Sequence, residues 1–221
     1  MSSTNKKILK QLLHPTYQTI AALLLFVIAL IASRPAAVSD IEADIFFAVH
    51  NLPEALFPLF YVITQAGSIY MLGGLLVLYA LRKRYHIVIR LLMTGTLAYL
   101  LAGFGKSLWG RARPGELLDN VMVLDYIQGP GFPSGHVALA TALALTIGHY
   151  VTKKNYWLPA LWIVGVALYR MYLGVHVPLD IVGGFAIGWL SYALFRHVRI
   201  YDVSFGAKPR GKAKQKTSPK R

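Results

Sequence analysis

The sequence predicts an all-α integral membrane protein, a bundle of six transmembrane helices with its active site at the extracytoplasmic face. Three observations lead there. Of 221 residues, 56% are hydrophobic and only 14% charged, with a mean hydropathy of +0.50, which is too apolar for a soluble domain or a disordered chain. Long uncharged runs recur along the chain; at about 20 apolar residues per crossing of a bilayer core about 30 Å thick, the length accommodates roughly six crossings. The connections between the runs differ in charge, and Lys and Arg sort to the cytoplasmic side.

The first run, 17–32, follows Lys6, Lys7 and Lys10. It is long for the apolar stretch of a signal peptide, and Ser33-Arg34-Pro35 makes a poor cleavage site, so it reads as a retained helix. The second run, 55–81, carries 27 residues without a formal charge, and the third covers 87–109. The fourth, fifth and sixth are 137–152, 156–169 and 177–195. Several are short for a crossing. Their ends carry Lys106, His136, Arg170 and Asp180, so the helices are expected to continue past the apolar stretch into a polar surface layer. Between the first two runs, 41–52 places Ile41, Ile45, Phe46, Val49 and Leu52 near helical spacing behind acids at 40, 42 and 44. It reads as an amphipathic helix on the outer surface, either a guide for lipid or a plain connector.

The net charge of +14 would point to nucleic acid in a soluble protein. Its position assigns it to a membrane surface instead. Residues 202–221 hold seven Lys/Arg and one Asp and almost no apolar residues, a basic tail suited to anionic headgroups on the cytoplasmic side. The domain proper is thus 1–201, and no nucleic-acid partner is expected. The N-terminus, the second-to-third connection (Arg82, Lys83, Arg84, Arg90), the fourth-to-fifth (Lys153, Lys154) and the tail are basic, whereas the first-to-second carries Asp40, Glu42, Asp44 and Glu54 with a single Arg34. Both termini are therefore expected inside a multi-pass cell-membrane protein. The absence of cysteine excludes disulfides, thiolate catalysis and Cys-based metal sites.

On that topology Lys106, Arg111, Arg113 and Arg170 break the sorting rule on the outer face, as cations held there for a purpose do. Three stretches carry the pattern. In the first, Lys106 and Arg113 stand seven apart, on one face of a helix that Pro114 ends. In the second, Phe132-Pro133-Ser134-Gly135-His136 opens the fourth run; Ser134 suits an N-cap, and a helix start aims N–H groups at an anion. In the third, His176 and Asp180 stand four apart, so the carboxylate can fix one imidazole nitrogen as a donor and leave the other free. Three cations for phosphate oxygens, neutral donors at Ser134 and Gly135, and two imidazoles as nucleophile or base and acid are the parts that splitting a phosphate ester needs. No metal is required if three cations already neutralise the developing charge, although the Asp180 carboxylate together with a phosphate leaves a magnesium site open.

Other polar residues have plainer readings. Arg111 and Trp109 read as interfacial anchors, Glu116, Asp119 and Asp125 as a solvated loop, and Thr64 and Gln65 as interhelical hydrogen-bonding groups. Gly184 and Gly188 form a small-xxx-small pair for close packing. His14, His86, His149 and His197 lie on the inner side and receive no chemistry.

These blocks resemble the type-2 phosphatidic acid phosphatase family, whose signature is Lys-x6-Arg-Pro, then Pro-Ser-Gly-His, then Ser-Arg-x5-His-x3-Asp. The first two blocks match at every fixed position; the third matches at Arg170, His176 and Asp180, with Tyr169 in place of the usual Ser. The matched stretch runs from 106 to 180, and the first hundred residues match only in topology. The resemblance implies a metal-independent, cofactor-free lipid phosphatase with a phosphohistidine intermediate. In it His176 attacks phosphorus, Asp180 orients it, His136 protonates the leaving oxygen, and Lys106, Arg113, Ser134, Gly135 and Arg170 hold the phosphate. Undecaprenyl diphosphate is the leading substrate expected, with phosphatidylglycerol phosphate and phosphatidic acid next. A lipid phosphotransferase using the same site is the alternative, and a small membrane transporter is a third reading from another class.

Overall fold

The helices form where long apolar stretches meet local stop signals. A computed structural model describes residues 14–34, 36–125, 127–151, 155, 157–196 and 198. Lys6, Lys7, Lys10, Lys153, Lys154, His197 and the tail 202–221 lie outside them. In chain order the α-helices are α1 (Pro15–Ala32), α2 (Asp40–His50), α3 (Phe57–Gln65), α4 (Ile69–Leu81), α5 (Tyr85–Trp109), the short α6 (Pro114–Leu117), α7 (Gly135–Gly148), α8 (Trp157–Tyr172) and α9 (Pro178–Arg196). No strand occurs among the described residues. Three stretches are long and apolar enough to cross a membrane: α1, Tyr85–Leu117 containing α5, and α9; α4 and α7 are shorter apolar helices.

Helix α7 is the axis of the bundle. Its sequence is rich in Ala, and Val137 through Ala144 are all buried, so neighbours surround it rather than covering one stripe. Small residues let them come close. A Cβ added to Gly184 of α9 would collide with the Ser134 carbonyl, and one added to Gly188 with the Ala138 carbonyl and the Thr141 side chain. On another side of α7, Leu139 and Leu143 pack with Leu72 of α4 and with Ile87 and Leu91 of α5, while Ala138 and Ala142 meet Ala98, Ala102 and Ile187. A Thr94–Thr146 hydroxyl pair at 3.0 Å ties α5 to α7 deep in the bundle. Ile20, Leu24, Ile28 and Ile31 of α1 and Leu100 and Phe104 of α5 face outward, as a lipid-contacting surface requires.

Two expected helices are broken. The run 55–81 is not one segment: Ala66, Gly67 and Ser68 interrupt it, and α4 starts again behind Ser68. There Gly67 lies against Val166 and the His136 carbonyl, and the Trp162 indole donates to the Ala66 carbonyl at 3.0 Å. The third run ends at Trp109, because Gly110 takes a left-handed conformation (φ 61°). Lys106 and Arg113 therefore do not share a helix face. Arg113 precedes a new short helix opened by Pro114.

The outer helix α2 also faces differently from its apolar spacing. Glu42, Phe46 and His50, one turn apart, form its buried stripe, while Ile41 (74% exposed) and Ile45 (48%) face outward. A carboxylate turns inward because a buried guanidinium awaits it.

Replacing Gly188 with Val should destabilise the bundle by about 1–3 kcal/mol through overpacking, whereas Gly73→Ala, where an added Cβ meets nothing within 4 Å, should be neutral. Thermal unfolding of the two variants in detergent reads the difference.

Candidate active site

Lys106 ends the long helix α5, and its ammonium donates to the carbonyls of Pro130 and Gly131, the latter at 3.2 Å. Arg113, displaced by the Gly110 turn, donates from Nε to Gly129 O (2.8 Å), from Nη1 to Val175 O (2.8 Å) and from Nη2 to Pro130 O (3.4 Å). Both cations thus grip the carbonyls of 129–131 and converge although they belong to separate elements. A guanidinium carries more N–H groups than these carbonyls consume, so donors remain.

Arg170, near the C-terminal end of α8, is buried. Its Nη1 reaches Thr64 Oγ1 at 3.5 Å and the half-exposed Asp125 carboxylate at 3.5 Å. Its Nε and Nη2 have no partner. Ser134 occupies the N-cap of α7, but its side chain makes no capping bond, and the hydroxyl is buried without a partner. Among the described residues the buried side-chain polar atoms left unbonded are Ser134 Oγ, Thr141 Oγ1, Arg170 Nε and Arg170 Nη2. All but Thr141 belong to the residues that the sequence singles out. Orphan buried donors are costly unless something bonds them.

His176 sits in the turn between α8 and α9. Its Nδ1 lies 3.3 Å from Asp180 Oδ2, the same oxygen that accepts the Val177 N–H at 3.2 Å. Burial first, and then the positive fields of Lys106, Arg170 and Arg113, hold the imidazole well below its ordinary value, so it is neutral. A neutral ring that donates from Nδ1 presents a lone pair at Nε2. His136 stands in the first turn of α7.

The two imidazoles share one cleft of about 390 Å³ with Lys106, Arg113, Gly135 and Arg170; its other wall is Gly67, Ser68, Ile69, Tyr70, Tyr99, Ile127 and Leu139. Cations, orphan donors and imidazoles gathered beside mostly apolar lining are groups able to bond a tetrahedral oxyanion. A second cavity, of about 520 Å³, lies elsewhere, between α1, α2 and the start of α9, and is lined by none of these groups. Among the described residues no group of three or more His, Cys, Asp and Glu side chains gathers as a metal site.

Several participants have plainer sequence readings. Arg111 is no interfacial anchor: it is fully buried and bonds Glu42 and Asp180. Trp109 does lie at a helix end, its indole donating to the Ser33 carbonyl. Asp125 pairs with Arg170 instead of being merely solvated, and Thr64 bonds that same guanidinium. No local spacing announces these contacts, because each partner lies dozens of residues away in the chain. Tyr169 is buried against Phe60 and Tyr172 and does not line the cleft.

A helical bundle with apolar, membrane-length helices and a cleft lined by cations and imidazoles defines the class. The chain belongs to the PAP2 superfamily, whose pattern matches residues 87–203. It is 34% identical over 136 residues to the lipid A 4'-phosphatase of Bacteroides thetaiotaomicron, covering 52% of this chain and 60% of that one. It is 28% identical over 123 residues to the undecaprenyl-diphosphatase of Sulfolobus acidocaldarius, covering 50% and 55%. The chain therefore spans somewhat over half the length of these two relatives. The crystal structure of Aquifex aeolicus LpxE superposes with a TM-score of 0.66 at 27% identity, over 71% of this chain and 94% of that one.

The orphan donors should take up a phosphate mimic. Orthovanadate should raise the melting temperature of the detergent-solubilised protein in a concentration-dependent way, and Arg170→Gln should abolish most of that rise.

Proposed function

We propose that this protein is a membrane-embedded lipid phosphate hydrolase that works through a phosphohistidine. The observation that carries the reading is that both imidazoles line one cleft with three cations, next to buried donors that no group among the described residues satisfies. Lys106, Arg113, Arg170, Ser134 Oγ and the amides at Gly135 bind the phosphoryl oxygens and stabilise the charge that builds in the transition state. The His176 Nε2 lone pair bonds to phosphorus while the P–O bond to the lipid breaks. His136 delivers a proton to the departing oxygen. In the second half, His136 takes a proton from water, the water oxygen bonds to phosphorus, the P–N bond breaks, and inorganic phosphate leaves. Asp180 accepts the Nδ1 hydrogen bond and stabilises the positive ring through both halves. No metal or cofactor enters either half.

The reading extends to membrane placement. The six apolar helices α1, α4, α5, α7, α8 and α9 would cross the bilayer and form the domain within 1–201, with both termini and the basic tail 202–221 on the cytoplasmic, anionic-headgroup side. The cleft then opens on the extracytoplasmic face at headgroup depth, and the substrate's tail rests along the apolar wall that includes Ile69 and Leu139. A lipid whose phosphate sits at that depth and whose carrier must be recycled fits best. Undecaprenyl diphosphate leads, with phosphatidylglycerol phosphate and phosphatidic acid next; the relative acting on lipid A adds that class of phosphate to the panel.

Purified protein with a metal chelator present should release phosphate from at least one of these lipids. His176→Ala should cut that release by roughly four orders of magnitude or more, and His136→Ala by about 10²–10⁴-fold. Undiminished release by His176→Ala defeats the mechanism.

A further inference from the structure

Behind the candidate nucleophile lies a buried ionic group that the proposed reaction does not consume. Arg111 is fully buried, and so are its two carboxylate partners, Glu42 and Asp180. The guanidinium donates from Nη1 to Glu42 Oε1 (3.0 Å) and to Asp180 Oδ1 (3.1 Å). It donates from Nη2 to Glu42 Oε2 (2.7 Å) and to the Ala37 carbonyl (3.1 Å), and from Nε to the Arg34 carbonyl (3.1 Å). Every N–H is spent. Unlike Lys106, Arg113 and Arg170, this cation has nothing left for a phosphate, and it does not line the cleft.

What it does hold is the orienting carboxylate. With Oδ1 of Asp180 taken by Arg111, Oδ2 is left to accept from His176 Nδ1 and the Val177 amide, so the carboxylate plane is pinned at both ends. Glu42 in turn accepts the Leu179 amide at 2.9 Å, which ties the same ion pair to the first turn of α9, where Asp180 sits. Ionic groups taken fully out of water are a poor route to stability compared with apolar packing. Their arrangement here is better explained by what they orient.

We propose that Arg111 and Glu42 are positioning residues for His176: they hold Asp180 in the one rotamer that fixes the imidazole as an Nδ1 donor with Nε2 toward the cleft. Through Glu42 the outer helix α2, which carries no phosphate-handling group, becomes part of the reaction machinery. The inference rests on the phosphohistidine reading above. Arg111→Lys keeps the charge but cannot reach both carboxylates and two carbonyls at once, and Glu42→Gln keeps the shape but presents an amide N–H₂ to a guanidinium that needs an acceptor.

The test uses full-length protein and whichever lipid phosphate the wild type hydrolyses best. kcat and KM are measured for Arg111→Lys, Glu42→Gln, Asp180→Asn and each of the first two combined with Asp180→Asn. Misorientation of the attacking group should lower kcat by roughly 10²-fold while KM, set by the other three cations, stays within about twofold. In the Asp180→Asn background, adding either substitution should cost little more, because all act through one contact. Should Arg111→Lys fail to fold, the Glu42→Gln cycle carries the same comparison. Losses that multiply in the double variants, an unchanged kcat, or an effect confined to KM overturn the inference and leave the hydrolase intact. Wild-type protein that releases phosphate from no lipid overturns both.

Discussion

Asp180 is the point through which the three signature blocks meet. Its Oδ1 takes Arg111 from the first block, its main-chain carbonyl accepts the Ser134 amide of the second at 2.9 Å, and its Oδ2 takes His176 of the third. A carboxylate sealed from water survives ionised only when its oxygens are filled this completely. The consequence is geometric: whatever moves one block moves the others, so cation, hydroxyl and imidazole keep their mutual distances.

That hub depends on how closely the helices approach. The buried face of α7 is built from alanines, and Gly184 and Gly188 of α9 sit directly on its carbonyls. Larger side chains would separate α9 from α7, and with it the Asp180 carbonyl from the Ser134 amide. In a bilayer, where apolar burial gives little net drive to helix association, close backbone contact and a few interhelical hydrogen bonds such as Thr94–Thr146 take over that work. Tight packing and site geometry are thus one constraint expressed at two depths of the same helix pair.

Much of the candidate site was legible in the chain because its chemistry is local. Pro-Ser-Gly-His opens a helix, and a His four residues before an Asp at a helix start finds it within hydrogen-bond reach. What spacing and charge counts do not show is anything made by distant partners or by breaks inside apolar stretches. The polar, small-residue stretch Thr64-Gln65-Ala66-Gly67-Ser68 inside the second run is a turn signal that a count of formal charges passes over, and it coincides with the interruption at 66–68, where Gly67 lies against Val166. Gly110 hid a helix stop inside what spacing alone presents as one face. Arg111 and Glu42, 69 positions apart, have no shared signature; each in isolation is an ordinary loop charge near a membrane. Trp109 and Arg111 both read as interfacial anchors in the chain, yet Arg111 is fully buried and Trp109 only partly so.

The cleft's lining comes from two parts of the chain. Cations and imidazoles are supplied by 106–176 together with Ile127 and Leu139, and the Gly67–Tyr70 segment and Tyr99 complete it. Because Gly67 packs against the main chain of His136, a different hydrocarbon can be admitted by changes at Ser68, Ile69, Tyr70 and Tyr99 but not at that glycine without disturbing the reactive half.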